Sequence, residues 1–261
     1  MNLGVSTASY YPLETELALE EIGRSGIKTT EIFFNCESEL KPAFIDILKS
    51  IQSEYSLDIA AIHPTLSLAE PFMIFSAYER RFNESLLKFA RYSQVAAELG
   101  AKYIILHGGK PNGILSDEEY CQRYMLLKQE TLKNGVTVLQ ENVFRFCSGD
   151  IEFLRSMCEI LGDDAEFCFD IKQSVRSGLC PTEAVEEFMP HIKHFHISDH
   201  SVASDCLLPT NGGFDFKNFF KYLKSKSFNG ALNIEVYKNA YTDYSEIIDS
   251  YNKIKNIYNI L

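Results

Sequence analysis

The sequence predicts an α/β protein, a single (β/α)8 TIM barrel spanning residues 1–261. Three observations carry this. Short apolar, β-rich runs alternate with longer amphipathic runs along the whole chain; eight such short runs can be counted; and no linker, low-complexity stretch or charge block divides them. Strict alternation implies parallel strands joined by crossover helices. Eight units in about 250 residues is the size at which such a sheet closes on itself. An open doubly wound sheet is the alternative.

Strands are expected near 3–9 (LGVSTAS), 29–35 (TTEIFFN), 58–65 (DIAAIHPT) and 101–109 (AKYIILHGG). Four more follow near 136–143 (VTVLQENV), 165–171 (AEFCFDI), 192–199 (IKHFHISD) and 231–237 (ALNIEVY). Short apolar runs bounded by glycine or polar turns read as strands buried on both faces. Between them, ETELALEEIGRSG sets Leu17, Leu19 and Ile22 along one helical face and stops at Gly26. SLLKFARYSQVAAELG stops likewise at Gly100. The run from Ser116 to Gly135 opens on a serine N-cap followed by acids, which suit the positive end of a helix. PTEAVEEFMPH carries Pro181 in a first helical turn, and FDFKNFFKYLKSKSFNG and the C-terminal YTDYSEIIDSYNKIKNIYNIL are also helix-like.

Hydrophobic residues make up 46% of the chain, enough for a large core. The formal net charge of −11 disfavours a broad nucleic-acid surface, leaving room only for a local basic patch. Seven scattered cysteines without a CxxC pair argue against a disulfide framework and for a reducing, cytoplasmic setting. The N-terminus has no basic stretch ahead of a long apolar run, and no 18-residue apolar stretch exists, so neither a secretory signal nor a membrane span is expected.

Ionisable residues fall at telling places. Glu141, Asp170, His196 and Glu235 stand at the C-terminal ends of the fifth, sixth, seventh and eighth expected strands. In a barrel, residues there converge on the active site. Taken singly, an acid at a strand end is more often a helix cap or a solvated rim residue; four on successive strands are harder to explain so. Three carboxylates crowded round an imidazole repel one another, and a divalent cation resolves the conflict. Oxygen-rich ligation with one nitrogen suits Mn²⁺, Mg²⁺, Co²⁺ or Zn²⁺. His194 shares the inward face with His196 by strand alternation and competes with it for the ligand role. His63 and His107 stand at the ends of the third and fourth strands, and Glu31 lies on the second. Each is a candidate substrate contact, or a buried, hydrogen-bonded side chain of the barrel mouth. Lys172, Arg145 and Arg176 are cations near the same rim, able to meet an acidic group or simply solvated; His191 and His200 belong to no motif and are expected on the surface.

This order of Glu, Asp, His and Glu, with LGVST, TTEIFF, AIHP, ILHGG, LQEN, CFD, HFHISD and NIEVY in sequence along the whole chain, resembles the xylose-isomerase-like barrel superfamily. That superfamily includes sugar and sugar-phosphate isomerases and epimerases, inosose and dehydroshikimate dehydratases, and the endonuclease IV group. The resemblance implies that Glu141 and Glu235 both bind metal and exchange protons with a sugar carbon, and that Asp170 and His196 complete the ligand set. It favours His196 over His194 through the HxxD pattern that ends in Asp199, which it makes a structural residue.

The sequence also departs from that pattern. Relatives commonly carry a histidine three residues after the sixth-strand aspartate, where Gln173 stands; glutamine can orient a hydroxyl but cannot carry a proton as histidine does. Leu207 and Leu208 replace the usual basic or histidine residue after the seventh strand, and Asp205 matches an acidic position weakly. The leading expectation is therefore a divalent-metal-dependent isomerase or epimerase of a small polyol or sugar, phosphorylated or not, working through an enediolate. Glu141 and Glu235 would be the catalytic acids, and His63, His107, Gln173, Lys172 and Glu31 the substrate contacts. A dehydratase of a cyclic keto-polyol and a barrel without chemistry are the alternatives. An endonuclease is disfavoured by the charge and by Gln173 and Leu207. The oligomeric state, a homo-oligomer included, stays open.

Overall fold

The computed structural model describes residues 1–261. Eight parallel strands close into a barrel: β1 (Asn2–Ser6), β2 (Thr29–Phe33), β3 (Asp58–His63), β4 (Tyr103–Leu106), β5 (Thr137–Glu141), β6 (Phe167–Asp170), β7 (Ile192–Ile197) and, last in the ring, β10 (Ala231–Ile234). The order round the ring is β1–β10–β7–β6–β5–β4–β3–β2, so each strand pairs with its neighbours in sequence and the last closes on the first. That rules out the open sheet. All eight expected strands are present, several shorter than the apolar runs that announced them.

The helices are α1 (Thr15–Arg24), α2 (Pro42–Tyr55), α3 (Glu70–Met73), α4 (Glu79–Glu98), α5 (Asp117–Leu132), α6 (Ile151–Leu161), α7 (Ile171–Arg176), α8 (Pro181–Phe188), α9 (Phe216–Ser225) and α10 (Ser245–Asn259). Ser116 caps α5 in a full capping box: its hydroxyl accepts from Glu119 N, and the Glu119 carboxylate accepts from Ser116 N. On α1 the buried set is Thr15, Ala18, Leu19, Ile22 and Gly23, steps of three, four, seven and eight from Thr15, while Leu17 is 42% exposed. Leu17 thus lies off the face the sequence assigned it to, and Ala18 takes its place. Between β7 and α9 the chain forms a small antiparallel hairpin of β8 (Asp199–Ser201) and β9 (Ser204–Leu207), which the sequence did not announce.

The core is in two parts. A cluster of 59 buried residues fills the space between the strands and the helical ring. Inside the barrel there is only a thin apolar plug of Ala61, Ile105, Leu139 and Cys168, with Tyr103 against it. Side chains alternate across a strand, so the residue two positions further on faces inward again, one layer nearer the C-terminal rim. From the plug, that step leads from Ala61 to His63, Ile105 to His107, Leu139 to Glu141 and Cys168 to Asp170. On β7 it leads from His194 to His196, and on β10 from Asn233 to Glu235. The polar layer is a direct product of strand register.

Candidate metal centre and active site

His196 is the hub of that layer. Its Nδ1 lies 3.1 Å from Glu141 Oε1, 3.5 Å from Glu235 Oε2 and 3.6 Å from Asp170 Oδ2. One ligand atom from each of these four residues falls within 4.8 Å of all the others. The other ring nitrogen, Nε2, sits 3.0 Å from Glu31 Oε2 and donates to it, which fixes the ring with Nδ1 facing the three acids. His194 lies one layer deeper, its Nε2 2.9 Å from Glu31 Oε2.

Backbone geometry presets the acids. Asp170 caps α7 by accepting from Gln173 N through Oδ1, which leaves Oδ2 for the site. Asn142 clamps β5 to β6: its Oδ1 accepts from Asp170 N at 2.7 Å and its Nδ2 donates to Asp170 O at 3.0 Å. Glu235 N donates to Ile197 O, continuing the ladder one residue past β10. The Glu235 Oε2 atom is buried and has no hydrogen-bond partner. A buried carboxylate oxygen left unpartnered is costly unless a cation or substrate completes it. That orphan oxygen, with three acids on one imidazole nitrogen, fits a hard or borderline divalent cation.

Around the quartet stand the remaining expected residues. His107 Nε2 is 3.2 Å from Glu141 Oε2. His63 is buried with no hydrogen bond on either ring nitrogen; its Nε2 is 3.4 Å from Glu31 Oε1 and 3.9 Å from Glu235 Oε2. Glu31, expected as a substrate contact, is wholly buried beneath the site, its carboxylate shared among His63, His194, His196 and Ser6. Lys172, expected at the rim, is 1% exposed; its Nζ donates to Asp170 Oδ2 and, at 2.7 Å, to Glu235 Oε1. The Gln173 amide is taken at both ends, accepting from Phe144 N at 3.2 Å and donating to the Tyr237 hydroxyl at 3.4 Å. Arg176, partly exposed, is held by Asp205 and by the Tyr237 hydroxyl. Asp199 accepts from His200 N, Gly212 N and Phe214 N, and so ties up the loop after β7. His191, expected on the surface, is half-buried with Nδ1 2.9 Å from Ala165 O; His200 is also half-buried.

Sequence reasoning missed Asn142 and Glu70. Glu70 is fully buried, and its Oε2 accepts from His107 N and Gly108 N at 2.7 Å each. Gly108 at φ +113° turns the chain so that both amides point the same way. An amide beside a strand-end acid in LQEN was the available signal for Asn142; nothing in LAEPF marked Glu70.

Burial and charge set the protonation states. Burial pushes the Glu31 and Glu141 carboxyls up, but the histidine charges and hydrogen bonds around them prevail and hold both well below the usual range. Glu235 is likewise lowered, by His196 and Lys172 against burial. Asp170 is raised, burial outweighing Lys172. Burial lowers His63 to about 4, so it is neutral at pH 7. His107 resists burial through Glu141 and rises to about 9. Burial raises Glu70 to about 7. The His107 and Glu235 side chains, at 14% and 13% exposure, are the two most open groups of the layer. A cavity of about 670 Å³ lies beside it between the loops after β4 and β5. Its wall includes Lys110, Phe144 and Phe146, and the Phe146 ring is 5.6 Å from that of His107.

Solved structures share this architecture. A D-tagatose 3-epimerase-like protein superimposes with a TM-score of 0.80 at 20% identity, covering 100% of this chain and 98% of its own. The 3-keto-D-glucoside 4-epimerase YcjR of E. coli gives 0.78 at 17% identity, over 98% and 99% of the two chains. The IolI protein, solved with a binding zinc atom, gives 0.79 at 17% identity over 100% and 99%. At such identities the likeness is one of fold. The sequence itself goes further: over residues 19–254 it matches the family described as xylose isomerase-like TIM barrel, and the chain belongs to that family.

Proposed function

We propose that this protein is a divalent-metal-dependent isomerase or epimerase of a small polyol or sugar. The observation that carries the reading is the convergence of Glu141, Asp170, Glu235 and His196 Nδ1, with Glu235 Oε2 unpartnered. These four residues would hold the cation, and a cation there supplies polarisation of substrate oxygens and stabilisation of an enediolate. Family membership supports a catalytic barrel of this type, and two of the superimposable proteins are described as epimerases or epimerase-like.

The chain's own residues then divide the work. A carbon next to a carbonyl gives up its proton to one glutamate, and the other glutamate, after taking a proton from the His107 ring, returns it to the opposite face or to the neighbouring carbon. No electrons are gained or lost. Glu235 has the free oxygen and a measure of exposure, so it suits the group that meets the substrate proton first. Glu141 keeps its second oxygen on His107 Nε2, whose partly open ring offers a route for protons to solvent. His63, neutral and with both nitrogens free, is placed to exchange hydrogen bonds with substrate hydroxyls.

The test is exchange of the carbon-bound proton. Metal-stripped protein is reloaded with Mn²⁺, Mg²⁺, Co²⁺ or Zn²⁺ and incubated in D₂O with a panel of ketoses and keto-polyols, and NMR follows deuterium entering beside the carbonyl. Metal-dependent exchange with an epimer or isomer as product is expected. Release of water and an unsaturated product would reassign the barrel as a lyase. Tight metal binding with no exchange on any polyol would sink the catalytic reading.

A further inference from the structure

Lys172 is the feature that the proposed chemistry leaves unused. It is among the largest fully buried side chains of the molecule. Its ammonium donates to Asp170 Oδ2, the oxygen that faces His196 Nδ1, and at 2.7 Å to Glu235 Oε1. The Tyr237 ring stands 5.5 Å from Nζ on another side. A buried lysine that touches two of the three quartet acids is not a solvated rim charge, and its ammonium is already engaged.

Resting on the reading of the quartet as a metal site, we propose that Lys172 is a resident cation of that site. It holds the acids together when no metal is bound and weakens the affinity for metal when one arrives. Glu141, Asp170 and Glu235 bring three carboxylates into one buried layer, and Glu31 adds a fourth directly beneath it. The imidazoles of His107 and His196 face part of that charge, and without a further positive partner the rest repels itself. The ammonium offsets part of that charge whether or not a metal is present. The same charge opposes an incoming dication, because like charges a few ångströms apart in a buried site repel strongly. Lys172 also occupies the Asp170 oxygen that metal needs, so binding requires that this hydrogen bond be shared or given up. The expected outcome is a barrel that is stable without metal and takes it up weakly and reversibly. Lys172 acts here through Asp170 and Glu235 and is a positioning residue.

The experiment compares metal-stripped wild type with Lys172→Met, which keeps the length and removes the charge, and Lys172→Arg, which keeps the charge. Melting temperature is read without metal, and Zn²⁺ and Mn²⁺ affinities are read by competition with a chromophoric chelator. Lys172→Met is expected to melt several degrees lower without metal and to bind either ion at least about tenfold more tightly. Lys172→Arg should stay near wild type in affinity. A Lys172→Met protein that folds only with metal present would support the proposal equally. If it does not fold at all, Lys172→Gln makes the same measurement. Wild type binding metal while the uncharged variant binds no more tightly, or melts no lower without it, would overturn the role of Lys172 and leave the metal site standing. Failure of wild type and all variants to bind either ion would overturn both.

Discussion

Glu235 differs from the other acids of the layer in owning an oxygen without a partner, and Glu141 in owning an exit through His107. Replacing either by glutamine keeps the shape but removes the proton-carrying group. Glu141→Gln and Glu235→Gln are each expected to lower turnover by about 10² or more, the usual worth of a general acid or base, with the circular dichroism spectrum unchanged. Full activity in either variant would remove that glutamate from the mechanism. Gln173 poses a different case. Its amide links Phe144 N to the Tyr237 hydroxyl, so it ties α7 to the segments after β5 and β10. Gln173→Ala should lower kcat/KM, and should lower folding stability by up to about 1–3 kcal/mol, the cost of leaving a partly buried amide unpaired. A wild-type rate and KM would show that those segments need no tie. Strand-end acids were legible because register repeats every two residues. Glu70 was not, because it acts through backbone amides 37 and 38 positions away, a pairing that only the closed barrel creates.

Helix termini were readable where a side chain caps them and obscure where the tertiary contact decides. Ser116 shows the first kind, with both halves of its capping box formed. Ser116→Ala should cost about 1 kcal/mol, measured by denaturant midpoint at constant slope, and Ser116→Asp should cost less because it can still accept from Glu119 N. An alanine variant as stable as wild type would mean that the α5 terminus is held by packing alone. Asp170 shows the two roles merged. It caps α7 with one oxygen and faces the site with the other, so the element that follows β6 also aims the acid. The hairpin of β8 and β9 escaped sequence reading for a physical reason. Its strands are three and four residues long, too short for a periodicity, and Asp199 holds its base through the amides of Gly212 and Phe214.

At the scale of the molecule, the polar layer makes stability depend on pH, and the directions can be combined. Glu70 rises in the fold from 4.5 to about 7, so its contribution is full below 4.5 and is lost as pH climbs through 7. His63 falls from 6.5 to about 4; its neutral form is the favoured one, so stability is gained as pH rises from 4 towards 6.5. The two act over nearly the same window with opposite sign and largely cancel. His107 has no such counterweight. Raised from 6.5 to about 9, it contributes fully below 6.5 and loses that contribution as pH rises through 9. His196 is raised as well and acts in the same direction above neutrality. At the acid end, Glu31 and Glu141 are held low, and their contribution is lost as pH falls below the ordinary carboxylate range. The metal-free protein is therefore expected to be most stable near pH 6.5. By pH 9 it should lose about 3 kcal/mol or more, since folding that moves a group's titration midpoint by one pH unit is worth about 1.4 kcal/mol. Urea melts in a chelating buffer at half-unit intervals from pH 4.5 to 9 measure this. His107→Asn should flatten the alkaline limb, and Glu70→Gln should unmask the rise due to His63 between pH 4.5 and 6.5. A wild-type curve that is level from pH 6.5 to 9 would mean that His107 is not held charged by Glu141, and the proton route assigned to that pair would fall with it.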